Sequence, residues 1–397
     1  MKMSATTEKA QRLRADIIKL LYYKKKSSLT DLSKHTKKSL PLITSTVNAL
    51  IEEGLIIEQG LAPSTGGRRP LIFLLNPEYK RYIVAVAMDQ LTSRLTIYDL
   101  YNQQVLPTQV IDLDMTEDKS ADTLMEFIDR CIEKSTIDKE NLLGIGIGMP
   151  GFVNAEKGMN YSFMHVDNNI SLQDYLAEKL NLPVYIDNDS SLIALAELNF
   201  GEARNLKDVL VVNIGWGTGL GMIINGKLYR GSSGYAGEFS HIPLSNSNAL
   251  CSCGKRGCLE VETSLLVMVQ KAEAAVQNGE ETSLKVLFTD KSKSHLDHFL
   301  NAVIKRDPVA ISILADAAFQ IGKGLATLIH IMNPERIVLS GRGAKAGKML
   351  LPPIQQAINE FCIPRVAEQT EIKCSSLSAE AELLAAASLM VENSLFE

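Results

Sequence analysis

Helical periodicity opens the chain. In residues 10–23, Leu13, Ile17, Leu20 and Leu21 recur at the spacing of one helix face. A short second helix is predicted from a Ser28 cap, with Leu29 and Leu32 turned inward. A third runs from a Ser39 cap to a stop at Gly54, with Pro41 in its first turn. Leu40, Ile43, Val47, Leu50 and Ile51 form its apolar stripe, and Thr44, Ser45 and Asn48 form the small polar face opposite. Two apolar runs, 55–59 and 71–75, then flank a Gly-Gly-Arg-Arg turn. That pattern predicts a hairpin with Arg68 and Arg69 at its tip.

Three helices and a basic-tipped hairpin predict a winged helix-turn-helix domain over residues 1–80. Its third helix would enter a major groove with Thr44, Ser45 and Asn48 near base edges. Lys37 and Lys38 would meet phosphates, and Arg68 and Arg69 a minor groove. Charge sharpens the picture. Residues 1–80 hold 14 Lys or Arg against 7 Asp or Glu, a balance of +7, whereas the whole chain is −5, which leaves −12 for residues 81–397. A basic front on an acidic body predicts double-stranded DNA as the partner of the front alone. The plainer alternative is a small helical docking domain with a solvated basic face.

Beyond Asn76-Pro77 the pattern changes to buried strands alternating with helices. Residues 81–89 and 141–149 read as buried strands, the second ending in a Met149-Pro150-Gly151 turn. Residues 119–135 read as an amphipathic helix, 182–201 as a strand running into a helix, and 208–226 as a strand pair. Residues 263–330 read as mostly helical, and an Ala-rich closing helix is predicted to pack back on the first strands. Gly144, Gly146 and Gly148 mimic a dinucleotide loop but lie inside a strand with no helix directly after it. A length of 397 residues predicts two or three domains. No apolar run has the length of a membrane span, and no signal peptide opens the chain. Cys131, Cys362 and Cys374 show no framework spacing, so a reduced cytoplasm is expected and no membrane partner.

The densest chemistry lies at residues 237–262. Cys251, Cys253 and Cys258 stand as C-x-C-x4-C, with His241 upstream. Three thiolates and an imidazole complete a tetrahedral Zn2+ set with no open position, the pattern of a structural site; three ordinary buried cysteines are the alternative. Glu238 lies three residues before His241, and Glu260 two after Cys258. A metal holding one His241 ring nitrogen would leave the other for a ligand. Two carboxylates and an imidazole fixed in this way suit the hydroxyls of a sugar, unless the acids are merely solvated.

The string G-E-x-x-H followed by C-x-C-G-x-x-G-C-x-E resembles, position by position, the signature of the ROK family (repressor, open reading frame, kinase). The resemblance implies an α/β actin-like (ribonuclease H-like), two-lobed sugar-kinase fold with zinc beside the sugar. The first lobe is expected over 81–190 plus 378–397 and the second over 191–377. Asn188 and Asp189 resemble the family's N-D-A-N segment, with Ser191 in place of its second Asn. The implied sugar-binding set is Gly148, Pro150, Gly151, Asn188, Asp189, Glu238, His241 and Glu260. Asp189 would be the catalytic base if phosphoryl transfer survives; Asn188 and Asp189 equally suit capping the following helix. Gly217, Thr218, Gly219 and Gly221 resemble a phosphate loop, and a tight hairpin requires glycines too. Two departures stand out. The turn Asp89-Gln90-Leu91-Thr92 lacks the glycines that let a backbone wrap phosphate, and Arg342 stands where a glycine is usual.

The expectation is a sugar-responsive transcriptional regulator, a repressor of carbohydrate genes. Its partners would be operator DNA and a sugar or sugar phosphate. It would work as a homodimer or homotetramer, with kinase activity lost. The alternatives are an active sugar kinase carrying a DNA-binding head, and a module whose head is controlled by a partner protein.

Overall fold

The computed structural model describes residues 5–61, 70–166, 170–291, 293–377 and 380–396. The chain opens with α1 (Ala5–Lys24), the two-residue β1 (Ser27–Ser28), α2 (Leu29–Thr36) and α3 (Leu40–Glu52). The antiparallel strands β2 (Ile56–Leu61) and β3 (Leu71–Leu75) follow, with β1 on the outer side of β3. Ser28 caps α2 as predicted, its hydroxyl accepting the Asp31 N–H at 3.1 Å. Ser39 holds the cap position of α3 without a side-chain bond, and Pro41 sits in the first turn. Ile43, Val47 and Leu50 are buried, but Leu40 is 46% exposed, so the apolar stripe is one turn shorter than predicted. Arg68 and Arg69 lie outside the described residues.

Two five-stranded sheets follow, built to one plan. In the first, β4 (Tyr82–Met88), β5 (Thr92–Asp99) and β6 (Gln104–Asp112) form an antiparallel meander. Next, β7 (Leu142–Met149) lies parallel to β4, and β10 (Val184–Asn188) parallel to β7. A small hairpin, β8 (Val153–Asn154) and β9 (Met159–Asn160), intervenes. In the second sheet, β11 (Val209–Ile214), β12 (Thr218–Ile224) and β13 (Lys227–Tyr229) form the meander. Then β14 (Arg336–Ser340) lies parallel to β11, and β15 (Glu371–Cys374) parallel to β14. The two lobes thus repeat one topology that leaves no repeat in the sequence.

The helices are α4 (Ser120–Ser135), α5 (Leu172–Leu180), α6 (Asp189–Phe200), α7 (Glu260–Thr263), α8 (Leu265–Gln277) and α9 (Leu284–Leu287), then α10 (His295–Ile304), α11 (Pro308–Met332), α12 (Leu351–Phe361), α13 (Pro364–Ala367) and α14 (Ala381–Asn393). At 25 residues α11 is apolar and long enough to cross a membrane, against the sequence expectation. Its Leu314, Ala318, Ile321 and Leu325 are buried in the second lobe's core among α8, α10 and α12. Here α11 is a core helix.

The closing helix α14 packs on β4 and β7 as predicted, and lies along α6. Glycine permits that approach: a Cβ on Gly146 would collide with the Ala386 carbonyl. The strand glycines therefore serve helix packing rather than a nucleotide. The opening helices share this core. Leu13, Ile17, Leu21 and Tyr22 of α1 belong to one buried cluster with Ile83 and Ala85 of β4 and Leu383 and Val391 of α14. We expect Gly146→Ala to cost about 3 kcal/mol, because backbone cannot yield as a side chain does. Denaturant unfolding measures this, with Gly215→Ala, where a Cβ meets nothing closer than 3.5 Å, as the benign control.

Candidate functional site

Between the lobes lies a cavity of about 400 Å³, opening where β7, β10 and β11 end. Asp189 stands at the first turn of α6. Its carboxylate accepts the Ser190 N–H at 2.7 Å and the Asn213 amide at 3.1 Å. Asn188 caps α6, its amide oxygen accepting the Ser190 and Ser191 N–H groups at 3.0 and 3.1 Å. Its amide nitrogen donates to the Gly151 carbonyl at 3.2 Å, so Asn188 is first a brace between helix and turn. Glu260, at the start of α7, accepts the Thr218 N–H at 2.9 Å. Pro150, Gly151, Glu238 and His241 complete this wall. Gly148 does not: it lies inside β7, paired with Asp187 and Ala87, with the Leu192 side chain over its face.

Carboxylates crowd this space. Burial, and then the Asp89 charge, raises Asp189 above the ordinary carboxylate value. Burial and Asp189 do the same to Glu238. Burial pushes Glu260 up to about 7, with Asp189 and Glu238 adding to it. These groups favour proton-donating ligands such as hydroxyls.

The metal candidates converge. The ligand atoms of His241, Cys251, Cys253 and Cys258 all lie within 4.8 Å of one another. Cys253 and Cys258 sulfurs are 3.6 Å apart, and Cys251 Sγ is 3.6 Å from His241 Nδ1. Sulfurs bound to one tetrahedral Zn2+ at about 2.3 Å would be about 3.8 Å apart, so the donor set fits. Burial and the neighbouring sulfurs push the Cys258 thiol up to about 12, the direction expected of sulfurs held this close with no cation between them. The other ring nitrogen, His241 Nε2, faces the Glu238 carboxylate at 3.7 Å. One imidazole thus joins the cluster to the cleft.

Residues 85–393 match the model of the ROK family. The chain belongs to the ROK family. It is 28% identical over 381 residues to a xylose repressor from Caldicellulosiruptor bescii, across 95% of this chain and 93% of that one. It is 32% identical over 263 residues to a glucokinase from Halalkalibacterium halodurans, across 66% of this chain and 80% of that one. The crystal structure of a ROK family transcriptional regulator, a homolog of the E. coli MLC protein, superposes with a TM-score of 0.77 at 24% identity, covering 97% and 96% of the two chains. The actin-like fold expected from the cysteine signature is therefore that of a ROK protein.

The two departures from the kinase pattern meet each other in this ROK chain. Asp89 accepts the Leu91 and Thr92 N–H groups at 2.9 and 2.7 Å, closing by its own side chain the turn that lacks glycines. Arg342, from the loop after β14, reaches across the cleft and donates to Asp89 at 2.9 Å. It also pairs with Asp297 of α10 at 3.3 Å. Gly219 and Gly221, read as phosphate-loop candidates, face α6, where a Cβ would strike Ser190 and Ala194.

On α3, Thr44, Ser45 and Asn48 share an outward face with Leu40, Pro41 and Glu52. The Thr44 hydroxyl bonds back to the Leu40 carbonyl at 2.9 Å, leaving Ser45, Asn48 and Glu52 as its exposed polar groups. Lys37 ends α2 in the left-handed conformation, and both Lys37 and Lys38 are exposed.

Sequence reasoning missed several residues. Asn213, which orients Asp189, and Trp216, which lines the cleft, come from a β11–β12 segment read as a strand pair and singled out only for Gly217, Thr218, Gly219 and Gly221. Asp187 was hidden beside the conspicuous Asn188-Asp189 pair. It is 2% exposed and paired twice with Arg230, at 2.6 and 2.9 Å, where the loop carrying Glu238 begins. Arg230→Ala should cost about 3 kcal/mol by stranding a buried carboxylate, and adding Asp187→Asn should recover most of it. Unfolding of the two single variants and the double variant checks this.

Proposed function

We propose that this ROK protein is a DNA-binding transcriptional repressor of carbohydrate genes, released from its operator by a sugar or sugar phosphate in the inter-lobe cleft. The observation that carries the reading is the continuous core joining α1 to β4 and α14, which makes the three-helix head a direct extension of the sugar-binding lobe. The match to a xylose repressor over 95% of the chain necessarily includes most of that head. The head, residues 1–80, is a winged helix-turn-helix. In it α3 lies in the major groove, Lys37 and Lys38 on phosphates, and Arg68 and Arg69 at the wing tip. The cleft between lobes 81–190 plus 378–397 and 191–377 holds the sugar through Asp189, Glu238, His241 and Glu260, with Pro150, Gly151 and Asn188 shaping its floor. The protein works in the cytoplasm as a homodimer or homotetramer, so half-sites fall about one helical turn, or a multiple of it, apart.

The route from cleft to head is short. Helix α6 begins at Asp189 and ends at Phe200, whose ring lies 6.1 Å from Tyr22 and 5.5 Å from Tyr23 of α1. Tyr23 also donates to Glu392 of α14 at 2.7 Å. A rigid helix moved at its sugar end must repack this aromatic contact. The ligand acts only by binding the DNA-incompetent arrangement more tightly. A gel shift with operator fragments selected by the full-length protein tests the reading; release by none of a panel of free and phosphorylated sugars would sink it. Phe200→Ala should retain sugar and operator binding but weaken sugar-driven release about tenfold.

His241, Cys251, Cys253 and Cys258 hold a structural Zn2+, whose bonds contribute folding energy and fix His241 and Glu260 at the cleft. Cys253→Ser should lose metal, thermal stability and ligand affinity together. Unchanged ligand affinity in the metal-free variant would refute the coupling.

A second reading, an ATP-dependent sugar kinase with a DNA-binding head, is favoured by the Asp189 carboxylate lining the cleft and by the glucokinase relative. The Arg342–Asp89 pair across the cleft opposes it.

A further inference from the structure

We infer that the cleft takes an uncharged sugar and rejects its phosphate ester, because its one guanidinium and most of the backbone donors that would receive a phosphate are already bonded within the protein, and carboxylates line the rest. This rests on the reading of the cleft as a sugar site and narrows its ligand class.

A phosphate group needs backbone N–H nests, a helix N-terminus or an unspent guanidinium. The cleft has one of each kind, and most of their donors are already bonded within the protein, the neutral Trp216 indole N–H being an exception. The N-terminus of α6 points at the cavity, but its Ser190 and Ser191 N–H groups are bonded by the Asn188 and Asp189 side chains. In the β4–β5 turn, the Leu91 and Thr92 N–H groups are bonded by Asp89. In the β11–β12 turn, the Thr218 N–H is bonded by Glu260, and the Gly215 N–H by the Gly217 carbonyl.

The cations are also spent. Among the described residues lining the cavity there is no lysine, and Arg342 is the one guanidinium. It bridges Asp89 at 2.9 Å and Asp297 at 3.3 Å. Arg94, beside it, pairs with Glu382. Against this stand the lining carboxylates Asp89, Asp189, Glu238, Glu260 and Glu382. A phosphate dianion entering here would have to displace an internal carboxylate from its donors and then remain beside it. A sugar hydroxyl meets the opposite situation, since carboxylates with unfilled lone pairs are acceptors for O–H donors. The built-in acids therefore act as a filter on ligand charge.

The lone tryptophan, Trp216, lines the cavity and supplies a fluorescence signal for titration. The full-length protein would be titrated with D-xylose, D-glucose, N-acetylglucosamine, the 6-phosphates of the two hexoses, and inorganic phosphate. We expect no saturable binding of any phosphorylated probe. In Asp89→Asn/Asp297→Asn, which unties Arg342 and keeps the side-chain oxygens that cap the turns, phosphate affinity should rise at least about tenfold, the worth of one charge-assisted hydrogen bond. A thermal melt verifies that the variant is folded. A phosphorylated sugar binding wild type more tightly than its parent would overturn the inference. So would phosphate binding the double variant no better than wild type. If no sugar of either class binds, the sugar-effector reading fails, while the phosphate comparison still decides whether the cleft repels anions.

Discussion

Helices α6 and α14 lie so close to their strands that glycine is required beneath them. Gly144 and Gly146 of β7 receive α14, and Gly219 and Gly221 of β12 receive α6. Interiors packed at crystal-like density transmit displacement instead of absorbing it. Because α6 and α14 also lie along each other, a strand of the first lobe, a strand of the second and the opening helix α1 all meet one two-helix layer. The rest of the molecule is arranged around that layer. The cleft opens at one end of α6, and the head rests at the other.

The cleft is governed by the opposite kind of constraint. Asp187, Asp189, Glu238 and Glu260 are brought together at an energetic cost that burial increases. Three of the four are compensated locally: Asp187 by Arg230, Asp189 by Asn213 and its own helix turn, Glu260 by the Thr218 N–H. Clusters of this kind persist where function requires them. The thiol cluster adds a further local crowding of sulfurs that suits a single divalent cation, and His241 connects the two.

What was legible in the sequence follows from the physics of each signal. The cysteine and histidine cluster was plain because metal ligation demands fixed residue types at short spacing. The three opening helices were plain because an amphipathic stripe repeats on the scale of the helix itself. Leu40 was misplaced because helix periodicity cannot tell a buried first turn from an exposed one. Gly148 was misassigned because what packs over a strand glycine, here Leu192 of α6, is set by the fold and not by the neighbouring sequence. The pairing of Asp89 with Arg342 was invisible for the same reason. Each residue was recognised singly as a departure, but only the fold places one against the other. The duplicated sheet topology leaves no trace in sequence because strand order constrains burial and register rather than residue identity.

The position of the site between lobes also bounds how a sugar acts. Turning a regulator from one state in a hundred to ninety-nine in a hundred takes about 5.5 kcal/mol of differential binding. A small neutral ligand with affinity between millimolar and micromolar has only about 4–8 kcal/mol in total. Nearly all of its binding energy must therefore be realised in one arrangement and absent from the other. A pocket on one rigid lobe cannot achieve this, because its contacts would be the same in both states. A pocket divided between Asp189, just past the end of the first lobe's β10, and Glu238, His241 and Glu260 on the second can, if the two sets of acceptors come within reach of one ligand at one lobe angle and not at another. The Arg342–Asp89 bridge crosses the same gap, so it biases that angle before any ligand arrives.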